Sequence, residues 1–186
     1  MGGERIHPRR TGDPLTVRWV GVELGGVGTV TSCPGALGEW LASGRITAIT
    51  AELHSVWVSL ARDEWAEVGG QVHEMLVEVQ HHVGEIGFAT DAHLLERVTD
   101  DVLNSSLASY IASHGGDIRI LDTDGDHVRL DMGGACKHCA AATLTMHGRI
   151  QSELRSRLGE HIHVTSDEEH ESIWNRFRLR GRATTV

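Results

Sequence analysis

Cys136 and Cys139 stand three residues apart in the run GGACKHC, residues 133–139, and the chain has only one other cysteine, Cys33. A thiolate is both a nucleophile and a soft metal ligand. Two thiolates at this spacing can face one metal centre, and they suit zinc, copper(I) or an iron–sulfur cluster. The same pair also suits thiol–disulfide exchange, with Cys136 attacking and Cys139 resolving. Gly133 and Gly134 are expected to let the backbone bend before the pair. A helix is expected to start just after it, and the positive end of that helix favours thiolate over thiol. Two ligands do not fill a tetrahedral site. The others could come from Cys33, from histidines, or from the same loop of a second copy across a twofold axis. Cys33, beside Pro34, reads as a small packing residue. Lys137 and His138 read as exposed loop residues. His81, His82, His161 and His163 show no partners at metal-ligand spacing and read as surface or satisfied polar residues.

The composition narrows the function classes. The 186 residues suffice for one ordinary domain or two small ones. A net charge of −9 argues against a general nucleic-acid binder. No apolar run is long enough to span a bilayer. The opening MGGERIHPRRTGDP lacks the apolar core of a secretory signal. The expectation is a cytoplasmic protein with no nucleic-acid or membrane partner. In a reducing compartment Cys-x-x-Cys reads as a metal or redox site, not a structural disulfide. No serine elbow, phosphate loop or carboxylate pair stands in a strand-to-helix context, so no enzyme is expected.

The elements that must position the cysteines follow from periodicity, which predicts an α+β chain of two small α/β units. In residues 1–85, LTVRWVGVEL reads as a strand, with Val17 and Trp19 on one face and Val20 and Val22 on the other. Glycines 25, 26 and 28 mark a turn before a second short strand. SCPGALGEWLASG reads as a short helix with Pro34 in its first turn and Gly44 at its end. ITAITAELHSVWVSLA reads as two strands. Trp65, Val68, Val72, Met75, Leu76 and Val79 form a helical stripe, with Asp63 as its cap and Gly69–Gly70 as a weak point. Residues 86–93 read as a linker. The second unit, 94–165, is predicted as helix, β-hairpin, Cys-x-x-Cys loop, helix and edge strand. Its first helix carries Leu95, Val98, Val102, Leu107, Tyr110 and Ile111 and stops at His114-Gly115-Gly116. Its hairpin turns at Asp124-Gly125. Its second helix runs from about Ala140 to Leu158, with Leu144, Ile150, Leu154 and Leu158 as apolar members. Residues 166–186 form a charged tail.

The stretch from Leu94 to Val164 resembles the C-terminal domain of the NifU family, the Nfu-type domain. The elements that carry the resemblance are the leading helix, His114-Gly115-Gly116-Asp117-Ile118, the hairpin, and Gly134-Ala135-Cys136-Lys137-His138-Cys139 ahead of a helix with Thr143 and Leu144. Residues 1–85 resemble, more loosely, the N-terminal domain that accompanies it. Two departures stand out. Leu53-His54 replaces the usual acidic–aromatic pair, and Ala140 replaces a common proline after the second cysteine. The resemblance implies an iron–sulfur scaffold or carrier. It would take a [4Fe-4S] cluster from the cluster-assembly machinery, hold it between two subunits through Cys136 and Cys139, and pass it to apo-proteins. A [2Fe-2S] cluster, a structural zinc at a dimer interface, a thiol–disulfide redox protein and a metal-free interaction module are the alternatives.

Overall fold

A computed structural model describes residues 5–113, 115–134 and 140–166, with side chains 134 and 140–144 left undescribed. The chain divides into two compact units, residues 1–94 and 95–186. Helices and strands are mixed in both, so the fold class is α+β.

The first unit is an antiparallel sheet of β1 (His7–Arg10), β2 (Thr16–Val20), β3 (Gly28–Ser32), β4 (Ile46–Ala51), β5 (Ser55–Leu60) and β6 (Gly87–Ala89), in the order β1-β2-β5-β4-β3-β6. Helices α1 (Gly35–Ala42) and α2 (Trp65–Val79) bury Leu37, Val68, Val72, Leu76 and Val79 in one core with Val17, Ile46, Ile49, Val56, Val58 and Leu60 of the sheet. Each such side chain contributes about 1.5–3 kcal/mol on leaving water. The α2 stripe is therefore the expected one, but its cap is not. Glu64, not Asp63, is the capping position, and it makes no side-chain cap bond. The helix continues through Gly69 and Gly70, where an added Cβ would meet nothing. Gly44 ends α1 with φ +76° and donates its N–H to Leu41 O at 3.1 Å.

The strand around Trp19 also departs from simple alternation. Val22 and Leu24 are fully buried in the same core as Val17 and Trp19. Gly21, with φ +83°, ends β2 and resets the parity, so Val22 does not share a face with Val20. Two strands lack a sequence signal. β1 is HPRR, a proline-containing edge strand paired with β2. β6 lies inside the stretch expected to be a linker and pairs with β3.

The far side of this sheet buries charge. Arg18 of β2 donates to both carboxylate oxygens of Glu52 at 3.2 and 3.1 Å and to Ser55 Oγ at 2.9 Å. Glu52 also accepts from Ser55 Oγ at 2.9 Å and from Trp57 Nε1. The Glu52 side chain is fully buried.

In the second unit, α3 (Leu94–Asp101), a π turn over Val102–Ser106 and α4 (Ala108–Ser113) replace the single expected helix. The Leu107 N–H bonds to Val102 O at 2.9 Å, five residues back. Thr99 Oγ1 and Ser105 Oγ return to carbonyls four residues earlier, which competes with the helical ladder. Gly115, at φ +63°, follows α4 and donates to Ala112 O at 3.0 Å, as expected of a glycine stop. Antiparallel β7 (Gly116–Asp124) and β8 (His127–Gly134) form the hairpin, and β9 (His163–Ser166) pairs in parallel with β8. The hairpin turn places Gly125, φ +60°, at its first central position, with Asp124 opposite His127. Leu121 sits at a bulge and stays exposed. Helix α5 (Ala140–Leu158) buries Met146, Ile150, Leu154 and Leu158 with Val128, Leu130 and Val164 of the sheet. Met146 joins the expected apolar members, and the Leu144 side chain lies outside the described set. A 2.7 Å ion pair between Arg157 and Asp101 ties α5 to α3, with the Arg157 side chain only 5% exposed.

Candidate functional site

Cys136 and Cys139, with Lys137, His138 and Ala135, lie outside the described residues, and so does His114. The structure defines what frames them. β8 runs to Gly134 and α5 begins at Ala140, so five residues join a strand end to a helix start. The sequence predicted both the strand and the helix that bound this stretch. The register pairs Gly134 with Gly116 and Gly133 with Asp117. The close of α4, the start of β7 and the end of β8 therefore meet at one end of the sheet.

Gly133 has a different role from the expected one. It is a strand residue and not the bend, since it pairs within β8. A Cβ there would lie 3.2 Å from Asp117 O and 3.4 Å from Asp117 Cβ. Glycine lets the two strands approach closely just before the cysteine loop. The exposed Asp117 is paired with Arg119 at 2.8 Å. At the other end of α5, Arg155 and Arg157 occupy the last turn, where cations complement the helix dipole. Arg155 Nε donates to Ile162 O at 2.9 Å, and Val164 N–H donates to Gln151 Oε1 at 3.1 Å. These bonds fix α5 against the strand that follows it.

Cys33 behaves as a packing residue. It is half-buried against the core of the first unit, and desolvation pushes its thiol up from the ordinary value. Its carbonyl lies only 1.8 Å from where a Cβ on Gly38 would sit, so α1 folds directly over it. Among the described residues no group of three or more His, Cys, Asp or Glu side chains is arranged to hold a metal ion. The histidines do have partners that spacing did not reveal. His82 Nδ1 lies 3.0 Å from Glu85 Oε1, and His54 Nδ1 lies 2.8 Å from Glu23 Oε1. His163 stacks on His127 with ring centroids 5.0 Å apart. No helix among the described residues is long and apolar enough to cross a membrane.

Against known proteins, a NifU-like domain model matches residues 100–165. The nitrogen fixation protein NifU of Leptolyngbya boryana is 35% identical over 57 residues, which is 31% of this chain and 28% of that protein. The NifU of Anabaena sp. (strain L31) is 35% identical over 63 residues, covering 34% of this chain and 56% of its own. The Fe/S biogenesis protein NfuA of Hamiltonella defensa subsp. Acyrthosiphon pisum is 36% identical over 84 residues, 45% of this chain and 44% of that protein. The chain thus spans from about a quarter to somewhat over half of these relatives. The matched stretch contains the π turn, the hairpin, the Cys136–Cys139 loop, α5 and most of β9. Over residues 100–165 the chain carries a domain of the NifU-like family.

Proposed function

We propose that this chain is an iron–sulfur cluster scaffold or carrier whose cargo is a [4Fe-4S] cluster. Its cluster ligands are Cys136 and Cys139. The observation that carries the reading is the NifU-like match over residues 100–165, in which the Cys-x-x-Cys sequence falls between the end of β8 and the start of α5. The names of the relatives, NifU and the Fe/S biogenesis protein NfuA, support the same class.

The donor chemistry fits this cargo. One chain offers two thiolates and a twofold pair offers four, the number a cubane or a [2Fe-2S] cluster takes from protein. Two anchors per subunit make a releasable mount. A client's cysteine thiolates can displace Cys136 and Cys139 one at a time, each new iron–sulfur bond replacing one that breaks, so the cluster passes on without net redox change. Delivery of this kind needs no catalytic residue, and we read the chain as a non-enzyme acting in the cytoplasm with assembly proteins upstream and apo-proteins downstream.

The test is anaerobic reconstitution with iron and sulfide, followed by visible absorption, iron and sulfide counts, and mass by size exclusion. About four irons per dimer, lost in Cys136→Ser, is the expected result. Zinc without iron or sulfide would overturn it in favour of a structural site. A colourless monomer that reduces disulfides would overturn it in favour of thiol redox chemistry.

A further inference from the structure

The parallel pairing of β8 with β9 sets His127 directly beside His163. Neighbouring paired residues on adjacent strands project to the same face. Val128, Leu130 and Val164 fill the core side of these strands, each no more than 4% exposed. His127 and His163 therefore stand on the solvent side, where they do no packing for the core. Two backbone features hold them in place. The His163 N–H bonds to Asp126 O at 2.9 Å, and Asp126 occupies the hairpin turn whose other central residue is Gly125.

Asp126 completes the arrangement. Its Oδ1 lies 2.5 Å from His127 Nδ1. A carboxylate accepting from Nδ1–H fixes the neutral imidazole as the tautomer with a free lone pair on Nε2. This is the orienting device found behind metal-bound histidines. Two imidazoles bound to one ion at about 2.0–2.1 Å each put their ring centres on the order of 5 Å apart. The observed separation is 5.0 Å, with the ring planes 24° apart.

We propose that His127 and His163 together bind one borderline divalent transition-metal ion of the zinc class, with Asp126 orienting His127 and water completing the coordination sphere. Imidazole nitrogen selects such ions over calcium or magnesium. The site is separate from the Cys136–Cys139 loop in its ligands. Binding would join β9 to β8 by a second bond besides the backbone ladder, and so stabilise the second unit in proportion to ligand concentration.

The experiment is a calorimetric titration of zinc sulfate alone into the full-length Cys136→Ser/Cys139→Ser protein, so that the paired thiolates contribute nothing and the cluster proposal is not at stake. It is repeated with His127→Ala, His163→Ala, Asp126→Asn and, as a control, His161→Ala added. Histidine side-chain NMR follows the same titration. The expected result is a site whose affinity falls at least fivefold with either His127→Ala or His163→Ala and less than fivefold with His161→Ala. The Nε2 resonance of His127 moves on binding, and Asp126→Asn weakens the site by about tenfold, as second-sphere losses do. A titration that changes less than fivefold in either His127→Ala or His163→Ala, or that weakens equally with His161→Ala, would overturn the proposal by placing the zinc on other histidines.

Discussion

Replacing Arg18 by Met should cost the first unit about 3–5 kcal/mol, because it leaves the Glu52 carboxylate buried without its cation. The magnitude follows from the geometry. The Glu52 side chain is fully buried, and Arg18 donates two hydrogen bonds to it, beside those from Ser55 Oγ and Trp57 Nε1, while also bonding Ser55 Oγ at 2.9 Å. After the substitution the neutral donors Ser55 Oγ and Trp57 Nε1 stay, and they do not replace a guanidinium. Met fills much of the volume of the arginine stem, so the loss is electrostatic and not a cavity. The assay is urea unfolding followed by tryptophan fluorescence, since Trp19, Trp40, Trp57 and Trp65 all lie in this unit. With a slope of about 1–2 kcal/mol per molar urea, the midpoint should fall by roughly 1.5–5 M. Glu52→Gln in the Arg18→Met background should recover at least half of the loss, since the buried charge is then gone. A coupling energy of about 2 kcal/mol or more in the double-mutant cycle is expected. A loss under about 1 kcal/mol, or a coupling near zero, would refute the view that this pair is a desolvated charge network.

Two further outcomes test local geometry. Gly69→Ala and Gly70→Ala should each stabilise α2 by about 0.5–1 kcal/mol, because both sites are helical and open, whereas Gly38→Ala should destabilise α1 because its Cβ would overlap the Cys33 carbonyl; thermal melts of the three variants give the signs directly. Asp13 is held below its ordinary value near 3.8 by the Leu15 N–H and then by the Thr16 hydroxyl, against slight desolvation. Its folded value is the lower one, so its contribution is fully present above the unfolded value and is lost as pH falls through the folded value. The stability gap between wild type and Asp13→Asn should therefore hold from pH 7 to about 5 and narrow below pH 4, and a gap independent of pH would contradict this.

How much was legible in sequence depended on the range of the interaction. The α2 stripe, the β4–β5 pair, the Gly115 stop and the strand-to-helix position of Cys136 and Cys139 are local patterns with periods of 3.6 or 2, or glycines that need positive φ. Each was readable because neighbouring residues alone impose it. The capping position was harder, since Asp63 and Glu64 are both plausible there and only the course of the chain before α2 selects one. The edge strands β1 and β6 carry no alternation, and they are strands because β2 and β3 offer them open hydrogen-bonding edges.

What the sequence by itself determined was the α+β class, the order of elements in the second unit, the apolar faces and the cysteine pair that names the chemistry. The tertiary structure alone decided the partners. It brought Arg18 to Glu52, closed Asp117 on Gly133 and set His127 beside His163. These contacts join residues far apart in the chain, and strand register decides them. A shift of one residue in β8 against β9 would turn His127 toward the core and Val128 toward solvent. Burial of Val128, Leu130 and Val164 forbids that shift, so the apolar face, which is visible in sequence, selects the polar face, which is not.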